Sequence, residues 1–132
     1  MNWNKVQKDR WPNFSTHELA CKHCGNCKMN EETLDNLQQL RTTLGLPVRV
    51  TSGYRCAQHP VEIIKNRPGS HVLGRAVDIS CLGGEGFSIV KAALQCCFTG
   101  IGVSMATQKK FIHLDDVQAH ETHIWRPCIW SY

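Results

Sequence analysis

Two short segments of this 132-residue chain carry side chains of the types that hold a hydrolytic zinc ion. Segment 70–78 contains His71 and Asp78, seven positions apart, and segment 111–116 adds His113. Two neutral imidazoles and one carboxylate leave a zinc coordination position open for water, so this set suits hydrolysis. The alternative is that the three residues act separately, in a loop, a turn and a strand, as such side chains often do.

The cysteines suggest a second metal site. Eight cysteines are many for this length, and Cys21, Cys24 and Cys27 are spaced C-x-x-C-x-x-C. This spacing supplies three ligands of a structural zinc site, for which Cys56 or His23 is a candidate fourth. Because the sequence starts without an export signal, we expect reduced thiols or metal ligands rather than a disulfide framework. Buried free thiols or a single disulfide are the alternatives.

Helices are predicted at three places among the elements that must position these residues. Ser15 and Glu18 have the spacing of a capping box and predict a short helix. Asn30 is expected to cap a second helix that ends at Gly45, and a third is expected over 87–98. The apolar faces are expected to consist of Leu34, Leu37, Leu40 and Leu44 in the second helix, and of Phe87, Val90, Leu94 and Cys97 in the third.

Apolar and polar residues alternate in four short segments that we predict to be strands. In the last of these, period-two geometry puts Phe111, His113 and Asp115 on one face. The predicted strands are 48–52, 75–80, 101–105 and 110–115, and residues 56–70 are predicted to form a loop. The order predicts one α+β domain over 1–132, with a small, mainly antiparallel sheet and helices packed on one side.

Composition narrows the class of protein. Hydrophobic residues make up 42% and charged residues 20% of the chain, as in globular proteins, and no stretch approaches the roughly 20 apolar residues of a membrane span. The net charge of +4 has no long basic run, so we expect neither a nucleic-acid partner nor membrane insertion. Weak steering toward an anionic cell wall is conceivable, although a solvated basic surface accounts for the charge more simply. We expect a monomer.

The Ser70-His71 pair, followed by Gly74, Ala76 and Asp78, resembles the start of the zinc site in the M15 peptidases. That family includes D,D-carboxypeptidases and L-alanyl-D-glutamate endopeptidases. Further matching residues are 13–15, 18–19, 37, 40–41, 51–55, 100–103, 111–115, 126–127 and 130–132. The resemblance covers nearly the whole chain and is greatest to compact members encoded by bacteriophages and prophages. It implies a Hedgehog/D,D-peptidase-like fold.

The zinc ligands implied by this resemblance are His71, Asp78 and His113. The acid–base group is open, because Asp115 can equally be the general base or a carboxylate that orients a histidine. Relatives use a Glu or a His near the last ligand, and this chain has no Glu directly before it. Asp116 is expected to point to the other face. One of His120, Glu121 and His123 can fold back over the metal.

Arg55 is the residue that the resemblance implies for substrate binding and catalysis. Its guanidinium can donate paired hydrogen bonds to a stem-peptide carboxylate or to a developing oxyanion. Ser70 and Trp130 are further candidates for contact with substrate. Their alternatives are a turn residue for Ser70 and an aromatic packed on the core for Trp130.

The resemblance implies a zinc-dependent peptidase that hydrolyses peptide stems of bacterial peptidoglycan, as an L-Ala-D-Glu endopeptidase or a D-Ala-D-Ala carboxypeptidase. A phage endolysin is the expected biological form. The alternative is a catalytically silent, Hedgehog-like zinc-binding module, because Hedgehog signalling domains share the ligand pattern. Residues 1–10 lack the apolar centre of an export signal. We therefore expect synthesis in the host cytoplasm and action on the wall after holin-dependent release or delivery by a virion.

Overall fold

The computed structural model describes residues 6–82, 84–119 and 123–132, and within these ranges the chain forms four helices and five strands. In chain order they are α1 (Thr16–Leu19), α2 (Glu31–Leu44), β1 (Val50–Ser52), α3 (Pro60–Ile63), β2 (Ala76–Ser80), α4 (Glu85–Gln95), β3 (Gly100–Ala106), β4 (Lys109–Asp115) and β5 (Cys128–Ser131). None of the helices in the described ranges has the length and apolar character that crossing a membrane requires.

The five strands form one sheet in the order β1-β2-β4-β3-β5. All neighbours are antiparallel except β3 and β5, which run parallel. The α+β fold with a mainly antiparallel sheet is therefore confirmed. Strand β5 is an addition to the four strands that alternation predicted.

Helices α2 and α4 share a hydrophobic core with one face of the sheet. Helix α2 begins as predicted, because the Asn30 side chain accepts hydrogen bonds from the backbone N–H groups of Glu32 and Thr33. It ends at Gly45, also as predicted. The core contributions of α2, β2 and β4 include Leu34, Leu37, Leu40, Val77, Ile79, Ile112 and Leu114. The opposite face of the sheet is left for polar side chains.

The predicted apolar face of α4 is wrong in three of its four residues, because only Val90 packs against the core. Phe87 is 78% exposed and Leu94 is 62% exposed, and Cys97 lies beyond the helix and is also exposed. The helix instead buries Gly86, Ile89, Ala92 and Ala93. Gly86, Ala92 and Ala93 are small and let the buried side of α4 lie close to its neighbours, whereas Phe87 and Leu94 are turned to solvent.

The segment 56–70 is not the continuous loop that was predicted. It contains the short helix α3, with Pro60 in its first turn. The ring nitrogen Nδ1 of His59 caps this helix by accepting a hydrogen bond from the backbone N–H of Val61. Helix α3 buries one residue, Glu62, whose neighbours belong to the candidate site.

Candidate metal centre

One row of residues crosses all five strands on the face opposite the helices. Strand pairing places Ser52, Asp78, His113, Gly102 and Trp130 side by side in that order. Directly opposed residues on neighbouring strands have Cβ atoms roughly 5 Å apart, so their side chains meet on the same face. The sheet register therefore brings together Asp78 and His113, which are 35 positions apart in sequence.

The three candidate ligands converge at this row. Asp78 Oδ1 lies 3.3 Å from His71 Nε2 and 3.0 Å from His113 Nδ1. One donor atom from each residue lies within 4.8 Å of the other two, and all three side chains are buried. A tetrahedral zinc ion with bonds of about 2.1 Å separates its ligand atoms by roughly 3.4 Å, so the spacing and the donor set fit zinc.

Each imidazole is held through its outer nitrogen. His71 Nδ1 lies 2.7 Å from the carbonyl oxygen of Gly53, and His113 Nε2 lies 2.8 Å from Asp115 Oδ2. Because a carbonyl and a carboxylate only accept, these contacts keep a proton on the outer nitrogens. The inner nitrogens, His71 Nε2 and His113 Nδ1, then offer their lone pairs to a cation. This is the arrangement of histidine ligands in zinc proteins.

The pKa shifts of two of the three groups suit the binding of a cation. Burial raises the pKa of the Asp78 carboxyl, but its contacts with the His113 and His71 imidazoles outweigh it and hold that pKa well below its usual range. Burial lowers the pKa of His71, which leaves this imidazole neutral at neutral pH. For His113, burial lowers the pKa, but hydrogen bonds to Asp115 and Asp78 outweigh it and raise it. A metal ion and a proton would therefore compete for the inner nitrogen of His113.

Asp115 is fully buried beneath His113. Arg126 Nε donates a hydrogen bond to Asp115 Oδ1 at 2.8 Å, and Arg126 Nη2 donates to Asp115 Oδ2. Oδ2 also accepts a hydrogen bond from His113. Burial raises the pKa of Asp115, but the hydrogen bonds from Arg126 and His113 lower it to about 2. A charged carboxylate with both oxygens occupied holds an imidazole in place. This geometry favours the orienting role over the general base.

Asp116 faces the other side of the sheet, as the alternation of strand residues indicates. Its carboxylate accepts hydrogen bonds from Thr33 Oγ1 at 2.7 Å and from Asn36 Nδ2 at 2.9 Å, both on α2. Of the three other candidates near the last ligand, His123 is exposed, and His120 and Glu121 lie outside the described residues.

Arg55 approaches the site from the loop after β1. Its Nη2 donates to Asp78 Oδ2 at 3.1 Å, on the oxygen that does not face the histidines. Its Nε donates to Ser52 Oγ and its Nη1 to Glu62 Oε2, each at 3.1 Å. Arg55 therefore orients a ligand carboxylate and is itself held by Glu62. Sequence reasoning missed Glu62. The local sign of its helix is Pro60, because proline is favoured at the first position of a helix.

A cleft of about 810 Å³ opens above the row. Ser70 and Trp130 line it as anticipated: Ser70 Oγ lies 3.4 Å from His113 Nε2, and the Trp130 ring centroid lies 5.2 Å from that of His113. Four cationic side chains also line the cleft: Arg55, Lys65, Lys109 and Arg126. Within the described part of the chain, its lining includes no carboxylate other than Asp78. The sequence did not predict that Lys65, Lys109 and Arg126 line this cleft.

The cysteines divide differently from the prediction. Cys21, Cys24 and Cys56 come together, with sulfur atoms within 4.8 Å of one another. Cys27 is instead buried in the hydrophobic core and does not join them, so its inclusion in the candidate metal set is wrong. The C-x-x-C-x-x-C spacing could not show this, because the chain turns sharply between Cys21 and Asn26.

Comparison with known protein families places the chain in one of them. A family model described as Peptidase M15 matches residues 12–115, which include His71, Asp78 and His113. No curated protein matches the chain.

Proposed function

The chain belongs to the M15 peptidase family, and on that premise we propose that it is a zinc-dependent peptidase that hydrolyses the peptide stems of bacterial peptidoglycan. The observation that carries the proposal is the convergence of His71 Nε2, Asp78 Oδ1 and His113 Nδ1 at the floor of the cleft. Bound there, zinc would supply Lewis-acid activation of water and of the scissile carbonyl.

The charge of the cleft supports an acidic peptide as substrate. Stem peptides carry free carboxylates, and four cations line the cleft: Arg55, Lys65 and Arg126, each already paired with a carboxylate, and Lys109, which has no ion pair among the described residues. Cations grouped in a cleft attract an anionic ligand more strongly than the same charges spread over an open surface. Arg55 is placed to donate to a substrate carboxylate or to the oxygen of the scissile carbonyl, because its guanidinium lies beside Asp78.

The aromatic wall of the cleft supplies a second kind of contact. Trp130 packs beside His113, and the Arg126 guanidinium lies 5.0 Å from the Trp130 ring centroid. Phe111 and Tyr132 extend this wall, with ring centroids 5.1 Å apart. Apolar rings next to the metal exclude water and orient the peptide backbone of a substrate.

The finer assignment is a bacteriophage endolysin, made in the host cytoplasm and acting on the wall after release. Resemblance to the compact phage members of the family supports it. The bond cut is L-Ala-D-Glu for an endopeptidase and D-Ala-D-Ala for a carboxypeptidase.

The test is mass spectrometry of defined muropeptides after incubation with the zinc-loaded protein. We expect a product whose mass identifies the bond cut. His71→Ala should abolish the product, and His17→Ala, which removes an exposed histidine of α1, should not. If zinc is bound at a His71-dependent site and no stem peptide is cleaved, the peptidoglycan hydrolase assignment is overturned, and a silent binding module is favoured.

A further inference from the structure

A second group of metal-binding side chains lies outside the catalytic cleft. The sulfur atoms of Cys21, Cys24 and Cys56 lie within 4.8 Å of one another, and His23 Nδ1 lies 3.5 Å from Cys56 Sγ. We propose that these four side chains bind a structural zinc ion that is independent of the His71, Asp78 and His113 centre. This Cys₃His site is called the cysteine site below.

The donor set matches a closed zinc site. Three thiolates and one imidazole give four ligands, which is the full coordination of a structural zinc ion. With Zn–S bonds of about 2.3 Å, tetrahedral thiolates lie roughly 3.8 Å apart, so sulfur atoms within 4.8 Å need only a small adjustment. All three cysteines are free, so no disulfide competes for them in this structure.

The backbone around Cys21 is folded into a ligand-holding turn. The N–H of Gly25 donates to the carbonyl of Cys21 at 2.9 Å, and the N–H of Cys21 donates to the carbonyl of Asn26 at 2.7 Å. Gly25 has φ of +81°, a conformation that costs glycine little, so the chain can reverse directly after Cys24. The turn that the Gly25 hydrogen bond closes contains Cys24 and keeps it near Cys21.

The Cys21 sulfur is prepared as a thiolate ligand. It accepts hydrogen bonds from the backbone N–H groups of His23 at 3.4 Å and Cys56 at 3.3 Å. Such bonds stabilise negative charge on sulfur and orient a ligand toward its metal. Cys21 is buried while His23 and Cys24 are exposed, so the site is anchored on one side and open to an incoming ion on the other.

The cysteine site would connect two segments that are distant in sequence. The N–H of Tyr54 donates to the carbonyl of Leu19 at 2.9 Å, so the chain around residue 54 already runs beside the turn. Cys56 directly follows Arg55, the residue that contacts Asp78. A metal held by Cys21, Cys24 and Cys56 would therefore fix the loop that carries Arg55, and its binding energy would stabilise the fold.

The test is cobalt substitution of the full chain under reducing conditions. Thiolate ligands give a sulfur-to-cobalt charge-transfer band in the near ultraviolet, whereas a site made of imidazoles and a carboxylate gives none. We expect this band in the wild type and in His71→Ala, and a clearly weaker band in Cys24→Ser and Cys56→Ser, each of which keeps two of the three thiolates. Cys97→Ser, which changes an exposed cysteine outside the site, should keep the band. His23→Ala should shift the band without abolishing it.

Zinc analysis gives a second readout that does not depend on activity. We expect two zinc ions per wild-type chain and one in His71→Ala, with that remaining ion bound by the cysteine site. The proposal is overturned if the wild type shows no charge-transfer band, or if His71→Ala removes all zinc. A disulfide within Cys21, Cys24 and Cys56 in protein purified with reductant would also overturn it. The wild-type spectrum decides the matter even if the cysteine variants fail to fold.

Discussion

The carboxylate of Asp115 accepts hydrogen bonds from His113 and from Arg126, and no part of the residue is exposed to solvent. The residue can thus set which nitrogen of His113 faces Asp78, and Arg126 keeps its charge from being an isolated buried one. Any catalytic consequence would be indirect, because Asp115 would act on a bound metal through the imidazole.

We expect Asp115→Asn to weaken zinc binding about 10- to 100-fold, because the amide no longer holds the proton on His113 Nε2 as strongly. Competition with a chromogenic chelator measures the zinc affinity. Asp116→Asn is the matched control, since that carboxylate faces α2, and it should retain zinc. If Asp115→Asn binds zinc normally and the zinc-saturated variant still loses hydrolysis, Asp115 is the general base instead.

Among the secondary-structure elements, strand β3 contributes space to the site. Gly100 is opposite Asp115 in the sheet, and a Cβ at this position would collide with the Asp115 carboxylate and the Arg126 guanidinium. A strand normally gains from a β-branched or aromatic residue. The glycine here is required by the buried ion pair.

We expect Gly100→Ala to lower the free energy of unfolding by about 1–3 kcal/mol, as overpacking of a filled interior does. Urea denaturation measures the change. Gly84→Ala adds the same methyl group at the N-cap of α4, where nothing lies within 4 Å of the added Cβ, so it should lower stability clearly less than Gly100→Ala. Equal effects of the two substitutions would contradict this account of Gly100.

Helix α3 supplies a charge that depends on pH. Burial raises the pKa of Glu62, but hydrogen bonds from Lys65 and Arg55 outweigh it and lower that pKa below 4.5. An acid with a depressed pKa in the folded state adds stability above its unfolded pKa, and this stability is lost as pH falls through the folded value. Glu62 therefore helps to hold Arg55 at neutral pH and releases it in acid.

We expect the wild type to exceed Glu62→Gln in free energy of unfolding by about 1–3 kcal/mol above pH 4.5, because hydrogen bonds to charged groups are lost in the variant. The difference should shrink as the pH falls below that value. Urea denaturation over a pH series measures it. Glu32→Gln, at an exposed position of α2, should show no such pH-dependent difference, and parallel profiles for the two variants would exclude the role of Glu62.

On the scale of the whole molecule, the two faces of the sheet have separate tasks. Helices α2 and α4 bury the apolar face, and the polar face holds the three candidate ligands and the cationic cleft. This separation places the candidate site on a rigid support, because every strand of the sheet contributes one residue to the row at the candidate metal centre. It also places Lys109, a cation without an ion pair among the described residues, where a substrate would enter.

We expect Lys109→Glu to reduce kcat/KM for an acidic stem peptide by up to about tenfold at low salt, since it reverses a charge that steers the substrate. Steady-state hydrolysis at several salt concentrations measures the effect, which should diminish as salt rises. Lys91→Glu makes the same change on the exposed surface of α4 and should have a much smaller effect. Similar losses in both variants would show that only net charge matters.

Local sequence patterns were sufficient for much of this fold. The Ser15 and Glu18 capping box, the leucine-bearing helix α2 and the hairpin between β3 and β4 depend on contacts between residues near one another in the chain. Period-two alternation also assigned His113 and Asp115 to one face of β4. Such features follow from the backbone geometry of a single element.

Other features depend on residues that are distant in sequence. The apolar face of α4 was mispredicted because the sheet accepts small side chains such as Ala92 and Ala93 there. Strand β5 was missed because it is a strand only through its pairing with the distant β3. Its side chains alternate only between half-buried and exposed, which leaves no clear apolar face in the sequence. Cys27 does not join the predicted metal-binding cysteines because its side chain is buried in the hydrophobic core.

The sequence by itself determined the family and nominated His71, Asp78 and His113, because ligand types and their spacing are written in the chain. Tertiary structure decided which atoms face one another. It paired Asp115 with Arg126, set Glu62 against Arg55, and brought Cys56 to Cys21 across 35 positions. These contacts arise only when strand register and loop packing are in place, since sequence spacing carries no information on the direction in which a side chain meets a remote partner.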